Sequence, residues 1–387
     1  MGHYHTILGQ ILQLIPRFEF EKAVKQHNAE KGSKGFRSWT HFVSMLFGQL
    51  AGIDALRGIE AGLASVASRL YHLGIRSVSR STLSYANAHR PNGLFLFIFN
   101  LMLSKTVDVA PKHKFRFNNP LYSLDASTIE LCLSLYNWAK FRTTKGAVKL
   151  HVKLNHDGYL PSFVVLTEGK VHEQRVAPRI PFEAGDVLVF DRGYSDFGWL
   201  ASLSARDIYF VTRMKKNIRY RIVERRKLKR KDIIKCDQII ELTGVNTQKK
   251  YPFRLRRIRA KDPETGKQIV LITNQMDWSP RTIAAVYKER WQIEIFFKTL
   301  KQVLKVKSFV GTSRNALLSQ IWIALIAYLM LSYLKYVSRF AWSLYTLMSI
   351  LPTNLFAARD LMDWLNEPFH PTSHSPPNSE QLLLPLI

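Results

Sequence analysis

Val286–Lys301, VYKERWQIEIFFKTLK, is the stretch on which the reading of this chain turns. Tyr287, Arg290, Glu294 and Lys301 follow the spacing Y-x2-R-x3-E-x6-K. At about 100° per residue they fall within an arc of roughly 60° on an α-helix. Trp291 lies beside that arc. Ile293, Phe296, Phe297 and Leu300 occupy a neighbouring arc and would seat the helix on a core. One carboxylate among cations and aromatics admits two readings. Either Glu294 simply pairs with Arg290 and Lys298 at i,i+4 spacing, or the stripe carries chemistry.

Working outward, Ser279-Pro280 marks the start of this helix, with Ser279 as N-cap and Pro280 in the first turn. Downstream, Ala316–Val337 and Ala341–Ile350 read as apolar helices. Leu317–Leu334 has the length of a short membrane span, but Ser319, Gln320 and Ser332 interrupt it, and a buried core helix is expected. Asn366–Glu380 is rich in Pro and Ser, so 366–387 is expected to be a disordered tail. Upstream, residues 213–278 form a β-rich segment with a dense run of Lys and Arg between Arg213 and Lys231, suited to tracking a phosphate backbone.

Residues 118–212 read as strands with one helix. Leu121–Asp125 is a short apolar strand ending in an acid. Ala147–Leu154 alternates with period two and is paired through the turn Asn155–Gly158 with Leu160–Leu166. Val187–Phe190 is fully apolar and runs into Asp191. Asp196–Ser204 reads as helix and Ile208–Thr212 as strand. A mixed sheet flanked by helices follows. Residues 1–105 read as all-helical. Within them Ser79 or Ser81 is the candidate cap of a helix carrying Arg80, Tyr85 and His89, a suitable end for docking on phosphate or in a groove.

Charge narrows the function. Lys and Arg total 56 against 29 Asp and Glu, a net charge of +27 over 387 residues. That excess calls for a polyanionic partner, and DNA is the expected one. The two cysteines, Cys132 and Cys236, lack metal-ligand spacing and suit a reducing cytosol. No secretory signal is expected at the N-terminus.

Three acids then stand out: Asp125 and Asp191 at two strand ends, and Glu294 on the striped helix. Each alone has an ordinary reading, Asp125 as a cap and Asp191 as a turn residue in Asp-Arg-Gly, where Gly193 suggests a need for backbone freedom. Together they can converge on one point. Three carboxylates repel unless a cation joins them, and hard oxygen ligands favour Mg²⁺ or Mn²⁺. Two such ions about 4 Å apart activate a nucleophile and stabilise a leaving oxygen in phosphodiester chemistry. Lys145, Lys149, Arg192, Arg290 and Lys301 would surround the acids with positive charge.

Asp125 in its strand, Asp191–Tyr194 as DRGY, Lys145–His151 as KGAVKLH and the Y-R-E-K set together resemble the DDE transposases of the IS-four family of bacterial insertion sequences. The resemblance spans about residues 3 to 345. It implies an RNase H-like catalytic core, 118–212 and 279–350, split by the β-rich insertion 213–278 and preceded by a helical DNA-binding domain, 1–105. It also implies cut-and-paste transposition through a DNA hairpin. In that scheme Asp125, Asp191 and Glu294 bind metal, and Tyr287, Arg290 and Lys301 grip the DNA end. Trp291 is a candidate for handling a flipped base, the alternative being a packing residue. Tyr220, Tyr251 and Phe253 are the aromatics of the insertion available for stacking. The implied partners are the terminal inverted repeats and target DNA, with a homodimer holding two ends, in the bacterial cytoplasm and without a membrane. A structure-specific nuclease on the same fold and a non-catalytic DNA-binding derivative remain as alternatives.

Overall fold

The computed structural model describes residues 6–132, 134–142, 145–228, 233–261, 266–303 and 309–369. Helices come first: α1 Ile7–Leu12, α2 Arg17–Gln26, α3 Ser38–Leu50, α4 Leu56–Ala64, α5 Arg80–His89 and α6 Gly93–Val107. Their starts follow local chemistry. Pro16 precedes α2 in an extended conformation, and Ser79 caps α5 by accepting from the Thr82 N–H at 3.3 Å.

The strands follow: β1 Leu121–Leu131, β2 Lys140–Arg142, β3 Lys145–Asn155 and β4 Leu160–Glu168, then a short helix α7 Glu173–Val176 and β5 Val187–Phe190. Next are α8 Phe197–Ser204, β6 Tyr209–Arg213, β7 Tyr220–Arg225, β8 Ile234–Leu242, α9 Val245–Lys250, β9 Leu255–Lys261 and β10 Gln268–Thr273. The chain closes with α10 Pro280–Glu289, α11 Trp291–Lys298, a π-helical turn Thr299–Val303, α12 Arg314–Val337, α13 Leu344–Asn354 and α14 Leu361–Asn366. Asn366 is thus helical, and residues 370–387 of the expected tail lie outside the described residues.

β4, β3 and β1 pair antiparallel, then β1, β5 and β6 pair parallel. This is the RNase H-like arrangement that the resemblance implies. β5 is buried along its whole length, which explains its uninterrupted VLVF. The β-rich segment after β6 does not stand off from the core. β10 pairs antiparallel with β6, and β9, β8 and β7 extend the same ten-stranded sheet.

Three local expectations need correction. β1 runs on to Leu131, so Asp125 lies inside the strand and not at its end. The polar continuation Ala126–Thr128 pairs with Lys149–His151 of β3, and Ser and Thr tolerate a pleated, half-buried surface. The alternation of β3 implies one buried face, yet Lys153 on the other is only 8% exposed. Its ammonium sits over the Tyr122 ring at 3.9 Å and donates to the Pro181 carbonyl at 2.8 Å. Finally, Val286–Lys301 is not one α-helix: it tightens at Arg290, where α10 ends and α11 begins.

α12 is the axis of a core that joins both ends of the chain. It packs on α3, α5, α6 and α13, and 89% of its most apolar window is buried. It is the one helix among the described residues long and apolar enough to cross a membrane, and protein already surrounds it. Ile7, Phe42 and Phe95 from the first helices share this core with Val148, Leu150 and Val152 of β3, with Phe296 and with Leu365. The Ile7 and Leu8 N–H groups donate to the Ala357 and Leu355 carbonyls. Among the described residues, α1 to α6 therefore share one core with the C-terminal helices.

Candidate active site

Pairing between β1 and β5 places two acids side by side. The parallel register runs from Leu121 opposite Val187 to Leu124 opposite Phe190. Asp125 follows Leu124 within β1 and Asp191 follows Phe190 just past the end of β5, and neighbouring strands lie about 4.8 Å apart. Both acids line one cleft of about 640 Å³, together with Glu173, Arg192, Gly193, Tyr194, Lys215, Lys216 and Asn217. Gly193 is not at a positive φ, and a Cβ there would meet nothing. Its expected need for backbone freedom is therefore absent, and it simply leaves the cleft wall open.

Glu294 reaches the same neighbourhood from α11, which packs against β1. Arg290 links it to the sheet. One guanidinium nitrogen, Nη2, donates to Glu294 Oε1 at 2.6 Å, and the other, Nη1, lies 4.0 Å from Asp125 Oδ2. Burial raises the Asp125 carboxyl to about 6. The Ala126 N–H and Arg290 pull it back, while Glu294 and Asp191 push it further up. The expected i,i+4 pair of Glu294 with Arg290 is thus present, and Glu294 also bears electrostatically on Asp125.

Among the described residues, no three His, Cys, Asp or Glu side chains are gathered closely enough to form a ready ligand set. The donor chemistry still fits a hard divalent cation. All three groups are carboxylates, and the raised Asp125 carboxyl marks a place where added positive charge is favourable. In this arrangement Arg290 supplies that charge.

The other expected site residues divide. Arg192 is exposed on the cleft wall. Trp291 is 58% exposed, so it is not a packing residue. Tyr287 is buried, with Arg213 and Arg290 over its ring at 5.8 and 5.9 Å, and it braces the cations from behind. Lys301 is turned to the sheet, donating to the Thr128 carbonyl at 2.8 Å. Lys149 bonds Glu173 and the Val171 carbonyl, each at 3.0 Å, so its charge is already matched. The Lys145 side chain lies outside the described residues. Arg80 is on α5, in a different cleft from the acids. Of the insertion aromatics, Tyr251 is buried and Tyr220 lies under Arg257, while Phe253 is 44% exposed.

Glu173, Asn217 and Lys216 are cleft residues that the pattern of acids did not single out. Lys215 and Lys216 fall in the basic run after Arg213, but nothing in that run's composition distinguishes them from their neighbours. Lys215 donates to the Ser195 carbonyl at 2.9 Å and so pins the basic segment to the turn after Asp191.

Residues 117–330 match the family described as "Transposase DDE domain", and residues 3–76 match a "Domain of unknown function (DUF4372)". The chain is 31% identical to the protein named as transposase y4zB of Sinorhizobium fredii, over 74% of this chain and 80% of that protein. It is 30% identical to the one named as transposase for insertion sequence element IS5377 of Geobacillus stearothermophilus, over 85% of each. A third, named for element IS4SA of Synechocystis sp., is 26% identical over 71% of this chain and 78% of that protein. Among solved structures, the piggyBac transposase synaptic complex with hairpin DNA aligns with a TM-score of 0.44 at 12% identity, covering 95% of this chain and 83% of that one. That likeness is too distant to carry weight.

Proposed function

This chain belongs to the DDE transposase family, whose members cleave and join DNA with divalent metal, and on that premise we propose that Asp125, Asp191 and Glu294 are its metal-holding acids. The observation that carries the reading is that Asp125 and Asp191 each follow the last residues paired between β1 and β5 and line one cleft, with Arg290 joining Asp125 to Glu294. Mg²⁺ or Mn²⁺, bound as two ions, would neutralise the three carboxylates, activate an attacking oxygen and stabilise the leaving oxygen.

The remaining residues bind and orient DNA. Arg290 releases Glu294 and takes a phosphate of the transposon end, with Tyr287 holding it in place. Lys301 and Arg192 add positive charge around the same phosphates. Exposed Trp291 offers a face on which a displaced base stacks, which offsets the cost of unstacking it. The reaction is cut-and-paste transposition. Water attacks a phosphorus at the element's end, and a 3′-hydroxyl leaves. That hydroxyl attacks the opposite strand and closes a hairpin, a second water opens the hairpin, and the 3′-hydroxyl attacks target DNA. In each step one P–O bond forms as another breaks. Two terminal inverted repeats must be held at once, so a homodimer acting on the bacterial nucleoid in the cytoplasm fits this chemistry.

The test is a cleavage assay with Mg²⁺ and DNA carrying the element's terminal repeats. The expected products are 3′-hydroxyl nicks followed by end hairpins. Asp191→Ala should abolish every step and leave end binding intact. Hairpins formed by that variant would overturn the site, and nicks without hairpins in the unaltered protein would favour a structure-specific nuclease.

A further inference from the structure

α5 lies between the two matched families, one ending at residue 76 and the other beginning at 117. Its inner face, Leu83, Ala86 and Asn87, is buried. Its outer face is a polar ridge. Ser81, Ser84 and Ala88 run along the middle, and Arg80 and His89 stand at the edges. Tyr85 is 68% exposed, and its ring stacks on His89 with centroids 4.1 Å apart. His89 Nδ1 donates to the Tyr85 carbonyl at 2.9 Å, which leaves Nε2 of the neutral ring as an acceptor.

Troughs flank this ridge. One, of about 770 Å³, lies against Arg57 and has Phe309 and Val310 in its wall. On the other flank, clefts of about 750 and 510 Å³ hold Lys31, Lys34 and Arg76. The side chains of these four cations and of Arg80 have no ion-pair or hydrogen-bond partner among the described residues. Asp54 is the one acid among the residues lining the three clefts.

We propose that α5 reads duplex DNA from the major groove. Tyr85 and His89 meet base edges, and Arg57 on one flank and Arg76 on the other bind the two phosphate backbones. The ridge carries no acid, its flanks carry unmatched positive charge, and its small central residues allow close approach. A major groove about 12 Å wide and 8.5 Å deep admits such a helix. The deep, narrow major groove of RNA does not. The proposal needs DNA as partner but not the assignment of the acids.

The test uses the full chain carrying Asp191→Ala, so that binding is read without cleavage, and a library of random-sequence duplexes. This protein should enrich one motif, and methylation of guanine N7 within it should block binding. Adding Tyr85→Ala and His89→Ala should cut the preference for that motif over random duplex by about tenfold or more. Arg57→Ala and Arg76→Ala should instead weaken both, and each should lower the salt dependence by about one ion. All four side chains are on the surface, and unchanged thermal unfolding would show that the fold is kept. The same motif enriched at full preference by the Tyr85/His89 variant would overturn the proposal, as would protection confined to the minor groove or no motif at all.

Discussion

Arg290 decides the state of the site one side chain at a time. Its Nη2 is bonded to Glu294, and its buried Nε has no partner among the described residues. A cation already shared between two acids must be exchanged before either acid can serve a metal. Arg290→Gln should therefore raise the Mn²⁺ affinity of the DNA-free protein about tenfold, the size of a one-unit electrostatic shift, while weakening binding to DNA ends. Electron paramagnetic resonance titration and a binding assay in Ca²⁺ would read the two effects, and unchanged Mn²⁺ affinity would refute the exchange. The neighbourhood of Asp125, Asp191 and Glu294 was legible in the sequence because apolar strands and helical faces are periodic features, although Asp125 lies within β1 and not at its end. The commitments of the cations were not. Periodicity gives the face on which Lys149 and Lys301 lie, but not that Glu173 or the Thr128 carbonyl stands within hydrogen-bond reach.

Among the elements, β8, β9 and β10 do more than extend a sheet. Arg256 on β9 is 1% exposed and makes two bonds to Asp237 on β8, at 2.8 and 2.7 Å. Its remaining guanidinium nitrogen donates to the carbonyls of Met276 and Trp278, in the turn that enters α10. The β-rich segment thus sets the entry of the helix pair bearing Glu294. Asp237→Ala should destabilise the protein by about 3–5 kcal/mol, the cost of leaving one member of a buried pair alone. Denaturant unfolding would measure it, and a loss below about 1 kcal/mol, typical of an exposed pair, would refute the clamp. The helix start at Ser279 was readable because a side-chain cap is local, and of the two candidates Ser79 and Ser81 it is Ser79 that caps α5. The break at Arg290 and the addition of β10 to β6 were not, because each depends on packing between segments distant in sequence.

For the molecule as a whole, α12 requires both ends of the chain. A fragment beginning at Pro111 lacks α1 to α6 and bares the face of α12 that carries Trp322, whose ring packs on Phe99 of α6. It should aggregate and bind a hydrophobic dye, as seen by size-exclusion chromatography and fluorescence. A monodisperse, cooperatively unfolding fragment would contradict the shared core. The pairing of β1 with β5 has a different consequence for how such chains tolerate change. Each acid lies four residues beyond the first paired position, Asp125 after Leu121 and Asp191 after Val187. Residues may be gained or lost in the long connection between the strands without moving either carboxylate. A single insertion or deletion within Leu121–Leu124 or Val187–Phe190 would carry one acid to the opposite side of the sheet.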